Sequence, residues 1–193
     1  MRRPHSRLSV SPGFLVLLGL LFYLDQGADL LGSGLLACAL HELGHWLAIH
    51  LLGGRITRLR LTAVGAELAL DGSRPLSYGR ECIAALAGPA SSLLTAELAA
   101  RGKLFLLAGL SLGQGLFNLL PILPLDGGRA LGLLLSLGGE DRARKAMCVL
   151  SSVLSGALLG GGLVLLRMFG NPTLLVTAAW LTAGQLRISK KGR

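Results

Sequence analysis

The chain has 193 residues, 52% of them hydrophobic and only 15% charged, with 28 glycines and a mean hydropathy of +0.63. Too few polar side chains remain to cover a water-soluble domain of this size, so the composition excludes an ordinary soluble fold and points to membrane integration. The formal charge of +9 would suit nucleic acid as a partner, but the basic residues fall in clusters between apolar runs, which is the pattern of membrane topology.

Measured against the ~20 residues that a helix needs to cross a bilayer, six apolar segments are expected to span, at roughly 9–25, 30–52, 81–100, 104–123, 147–167 and 172–187. The first could instead be read as a cleaved signal peptide, yet no small-residue cleavage pattern follows Leu24. Between the second and third segments Thr57, Leu59 and Leu61 alternate with Arg58 and Arg60, Val64-Gly65 follow, and Ala66 to Leu70 resume the run. Period-two alternation around a glycine predicts a β-hairpin over 55–71. The expected fold is thus an all-α polytopic membrane protein, a single domain over 1–193 with about six transmembrane helices and a small membrane-associated β-hairpin between the second and third. With the N-terminus cytoplasmic, only Arg101, Lys103 and Arg167 of the 19 basic residues fall outside. The inner basic loops can also hold anionic lipid, at about 1 kcal/mol per residue near the surface. The cysteines, Cys38, Cys82 and Cys148, lack metal-type spacing and read as small apolar residues.

The second segment contains HELGH, His41 to His45. On a helix, positions i and i+4 share one face, so both imidazoles can reach one ion, while Glu42 points about 100° away and is better placed to act as a base than as a ligand. An accidental match, or histidines hydrogen-bonded within a bundle, is the alternative. In a membrane span that alternative is costly, because insertion of each ionisable group costs on the order of 2.5–3.5 kcal/mol at the bilayer centre. His50 lies about 140° from His45 and His5 in the basic tail, so both read as bystanders.

A catalytic zinc usually takes three protein ligands. Glu67 and Asp71 belong to the hairpin, Glu81 starts the third segment and Glu97 ends it on the outer side. Asp25 and Asp29 face outside, and Glu140 and Asp141 fall in a polar loop. Asp126 remains, preceded by Pro121 and Pro124 and followed by Gly127-Gly128, which let backbone turn and approach closely. Alone, DGG reads as a turn at a helix end. At a depth matching that of the histidines, it reads as the third ligand.

HELGH together with NLLPILPLDGG resembles the site-2 protease family of intramembrane zinc metalloproteases, and within it the compact group that includes the stage IV sporulation processing protease. The resemblance implies one zinc per chain on His41, His45 and Asp126, Glu42 as catalytic base, and Asn118 helping to hold the substrate. AGPASS, Ala87 to Ser92, resembles the family's small-residue motif, with Ser92 where an asparagine is common, and the hairpin resembles the membrane-associated β segment whose edge could accept a substrate strand. No PDZ-sized insertion separates the core segments, and the CBS module of many sporulation-type members is expected to be absent. The implied activity is hydrolysis of a peptide bond in or near a transmembrane segment, that is, regulated intramembrane proteolysis. Its implied partners are a membrane-protein substrate, the lipid bilayer and a regulatory membrane protein, with no nucleic acid. Its expected place is the bacterial cell membrane, crossed several times, with both termini and the active site on the cytoplasmic side. A membrane metal transporter and a catalytically silent partner-binding homologue are the alternatives; a transporter would be expected to carry polar residues at several depths.

Overall fold

The computed structural model describes residues 7–12, 15, 18–19, 22–23, 29–62, 65–70 and 75–191. Its elements are β1 (Arg7–Val10), α1 (Leu30–Leu51), β2 (Ile56–Thr62), β3 (Gly65–Leu70), α2 (Tyr78–Arg101), α3 (Phe105–Asn118), α4 (Asp126–Ser136), α5 (Glu140–Phe169) and α6 (Thr173–Lys191). They divide into two compact units, Met1–Phe117 and Asn118–Arg193.

In the first unit, α1 buries Ala37, His41, His45 and Ile49, a residue every four that keeps one face inward. It packs on α2, whose buried seam of Ala85, Gly88, Ser92, Ala96 and Ala99 is small throughout. Small residues let two backbones approach, the usual basis of helix association where lipid removes the hydrophobic drive. At Gly44 the two backbones come close: a Cβ there would lie 2.6 Å from both Ala87 O and Ser91 Cβ. Ser91 Oγ donates to Leu40 O across the same seam at 2.7 Å. Ala37, Ala99 and Leu107 close the pair against α3.

The expected hairpin is present as β2 and β3, antiparallel from Ile56 opposite Leu70 to Thr62 opposite Gly65. A third strand was not foreseen: β1 pairs in parallel with β2, Arg7 opposite Arg58 and Val10 opposite Leu61. Ser9 and Val10, assigned from sequence to the first span, therefore belong to a sheet. Most of the remaining 9–25 run, with Val64 and Asp71 of the hairpin, lies outside the described residues.

The fourth apolar segment departs further from expectation. Its helix stops at Asn118 instead of near 123, because Pro121 and Pro124 have no N–H to continue the ladder. Its 14 residues rise about 21 Å, short of the ~30 Å hydrocarbon core. After a loop with a cis Leu123–Pro124 bond, the chain forms α4 in a stretch where no helix was expected. In the second unit α5 starts at Glu140 and not 147, its first turn acidic as the helix dipole favours, and it ends on Gly170 in the left-handed region at φ 66°. It packs closely on α6, where a Cβ on Gly162 would lie 2.7 Å from Leu175 Cα.

Two described helices, α2 with 24 residues and α5 with 30, are long and apolar enough to cross a membrane. The 22 residues of α1 are also long enough but include His41, Glu42 and His45. Outward positions such as Leu94, Leu98, Val149, Val153, Leu163 and Val164 are apolar and exposed, where a helix facing water would carry polar side chains.

Candidate metal centre

The four-residue spacing of His41 and His45 sets both side chains on the buried face of α1, with rings edge to face and centroids 4.9 Å apart. Each Nδ1 has its own partner on α2. His45 Nδ1 lies 2.8 Å from the backbone oxygen of Ala84, and His41 Nδ1 lies 2.8 Å from Ser92 Oγ. A carbonyl oxygen can only accept, so His45 Nδ1 carries its hydrogen, and the neutral ring keeps a lone pair on Nε2. When His41 donates in the same way to Ser92, its Nε2 lone pair faces that of His45, and the two atoms are 3.2 Å apart.

Two lone pairs at that distance repel unless a proton or a cation lies between them. A tetrahedral zinc with Zn–N of about 2.0–2.1 Å holds its nitrogens about 3.3–3.4 Å apart. The imidazole pair therefore fits a divalent ion of the class that prefers nitrogen ligands, with both rings oriented from behind as ligating histidines commonly are.

The sequence of α2 makes this backing possible. A Cβ on Gly88 would overlap the Nε2 edge of the His45 ring, so glycine is the residue that leaves room for the imidazole. Pro89, buried within the helix, cannot donate to Ala85 O, and the Ala84 carbonyl one residue earlier, with two lone pairs, accepts His45 as a side-chain donor. Ser92 follows one turn later and is buried. Sequence reasoning saw AGPASS as a small-residue motif but assigned no role to Ser92 and missed Ala84. The signal that could have found Ser92 is a hydroxyl in an otherwise small, apolar seam.

Glu42 sits one residue beyond His41 on α1, half-buried. His50, by contrast, is exposed and stacks on Trp46, with ring centroids 5.6 Å apart and planes 6° apart. Cys38 accepts a long contact from Gln114 Nε2 at 3.7 Å, Cys82 is buried and Cys148 is exposed.

In the second unit Asp126 is the first residue of α4 and is buried, with Arg129 Nη1 3.9 Å from its Oδ1. The loop before it folds on itself: Ile122 N donates to Leu120 O and Leu125 N to Ile122 O, both at 2.8 Å. The two glycines after Asp126 lie flat on that loop. A Cβ on Gly127 would overlap the Leu119 carbonyl, and one on Gly128 would lie 2.5 Å from Ile122 O. Asn118, half-buried, ends α3 just ahead of the loop.

No protein-family model and no curated protein sequence matches the chain. Among solved structures it is similar to the Site-2 Protease from Methanocaldococcus jannaschii, with a TM-score of 0.73 and 23% identity over 97% of this chain and 92% of that one. The chain therefore has the fold of that protease.

Proposed function

We propose that the chain is a zinc-dependent intramembrane endopeptidase of the site-2 protease family, cutting a peptide bond in or near a transmembrane segment of a membrane-protein substrate. The observation that carries this reading is the buried imidazole pair, Nε2 atoms 3.2 Å apart, in a fold shared with a site-2 protease. In this reading His41, His45 and Asp126 hold one zinc: each is buried and offers one ligand atom. Two imidazoles and a carboxylate make the three-ligand set of a catalytic site that keeps its fourth position open. When bound, the zinc supplies Lewis-acid polarisation of the peptide carbonyl and makes water nucleophilic near neutral pH.

The chain's own residues then divide the remaining work. Glu42 takes a proton from the attacking water as the new C–O bond forms, and returns it to the amine nitrogen as the C–N bond breaks. Ser92 and the Ala84 carbonyl hold the imidazoles in the orientation that turns both Nε2 atoms the same way. The Asn118 amide, donor and acceptor at once, holds the substrate backbone. A helical substrate must first unwind, because its carbonyls are engaged in their own ladder, and an edge of the β1–β3 sheet can take up the released strand. The reading includes several membrane crossings, α3 being too short to make one alone, both termini cytoplasmic, and partners confined to the bilayer and its proteins.

The test is to purify the protein in detergent, measure bound zinc and add single-span substrates. One zinc per chain is expected, with Glu42→Gln retaining zinc while cleavage falls by about 10²–10⁴-fold. Undiminished cleavage in that variant overturns the assignment of the base. Metal transport in liposomes without any cleavage would favour a transporter instead.

A further inference from the structure

The unit Asn118–Arg193 contains a chain of polar groups for which zinc chemistry has no use. Gln185 of α6 donates from Nε2 to Ser155 Oγ at 2.6 Å and to the backbone oxygen of Ser151 at 3.3 Å. One turn before Ser155 on α5, Ser151 Oγ accepts the backbone N–H of Leu123 at 3.0 Å. Both serines are 1% exposed. Buried polar networks of this kind rigidify and specify a packing when their members are satisfied, and this one ends on the loop that delivers Asp126.

Leu123 is three residues before Asp126, and the intervening backbone has little freedom. Leu125 N is bonded to Ile122 O, and Gly127 and Gly128 rest on the carbonyls of Leu119 and Ile122. Loop and first turn of α4 thus form one block, and Ser151 ties that block to α5. Helix α6 backs it at the residue beside Gln185, since a Cβ on Gly184 would touch Pro124 Cδ at 3.7 Å. Pro124 cannot donate, so the Leu123 N–H is the backbone donor through which this stretch of loop can be pinned from outside.

We propose that Ser151 and Gln185 are positioning residues for Asp126. Ser151 holds the loop by the Leu123 N–H, and Gln185 holds the turn of α5 that presents Ser151. The inference rests on the reading of Asp126 as the third zinc ligand.

The test measures zinc affinity of the full chain in detergent by competition with a chromophoric chelator, alongside the thermal midpoint of the zinc-free protein. Ser151→Ala is expected to weaken zinc about tenfold, the low end of what loss of an outer partner does to a metal site. Gln185→Leu is expected to weaken it about fivefold, and Ser151→Thr, which keeps the hydroxyl, to stay within about twofold of wild type, by the same comparison. In an Asp126→Asn background Ser151→Ala should add nothing, because the ligand it positions is gone. An equal effect in both backgrounds marks general loosening and overturns the inference. Wild-type affinity in Ser151→Ala, with Asp126→Asn weakened, overturns it while leaving the zinc reading intact. Unchanged affinity in Asp126→Asn removes the third ligand and this inference with it. Should Ser151→Ala fail to fold, the same cycle with Gln185→Leu decides.

Discussion

His41 and His45 project from successive turns of a 22-residue helix and lean on a second helix through Ser92 and Ala84. Asp126 stands where a proline-rich loop meets an 11-residue helix, held by glycines lying on the loop's own backbone and by the hydrogen bond that the Leu123 N–H donates to Ser151 Oγ. The helical pair inherits its spacing from the 3.6-residue repeat, so only the ring orientations remain to be fixed. The loop has no repeat to inherit, and its geometry is made by contact of main chain with main chain. Added bulk on the helical side should therefore change chemistry more than stability, and added bulk against the loop's main chain should do the reverse.

Gly127→Ala is the largest expected effect. The added Cβ would overlap the Leu119 carbonyl, which is backbone and cannot rotate aside, so a cost of about 3 kcal/mol is expected, the upper part of the overpacking range. Thermal unfolding in detergent measures it, and an unchanged midpoint would mean that the loop yields after all. Gly88→Ala is the counterpart on the helical side. Its Cβ meets the His45 ring, a side chain that can swing away and break its bond to Ala84, so the fold should survive while zinc affinity falls about a hundredfold, equivalent to about 2.7 kcal/mol. Unfolding with zinc still bound would reverse the contrast between the regions.

A smaller effect is expected from Ser92→Ala, which removes the partner of His41 Nδ1 and leaves the ring free to turn. Loss of such a partner commonly costs 10–100-fold in metal affinity, and about tenfold is expected here because α1 still fixes the position of the ring. Ser92→Asn, which can also accept from Nδ1, should recover most of that loss. Chelator competition reads both, and if Ser92→Ala binds zinc as wild type does, Ser92 is a spacer in the seam and not a partner.

What the sequence made legible follows the same division. H-E-x-x-H could be placed on one helical face because period alone brings its ends together. The same alternation rule found β2 and β3, which are adjacent in the chain. Strand β1 escaped because Arg7 pairs with Arg58, and no local pattern announces a partner so distant. Helix α4 escaped because Asp-Gly-Gly is turn chemistry, and only the close seat of Gly127 and Gly128 on the preceding loop makes a helix start there. Ser92, Ser151 and Gln185 are ordinary residues in a helix until the fold sets each beside its acceptor or donor.

The smallest effect is expected at His50, which tests the helical side by a residue of the same type. It follows His45 by five positions, a step of about 140° around the helix, and that offset takes it from the buried face to the exposed one, where it stacks on Trp46. His50→Ala removes an exposed ring contact, so stability should change by less than about 0.5 kcal/mol, as for most surface substitutions. Zinc affinity should stay within about twofold of wild type, because an imidazole turned to the outer face cannot share an ion with one turned inward. A marked loss of zinc in His50→Ala would show that α1 does not hold its histidines by the repeat alone, and the distinction between a site set by helical geometry and one set by loop packing would fail at its simpler end.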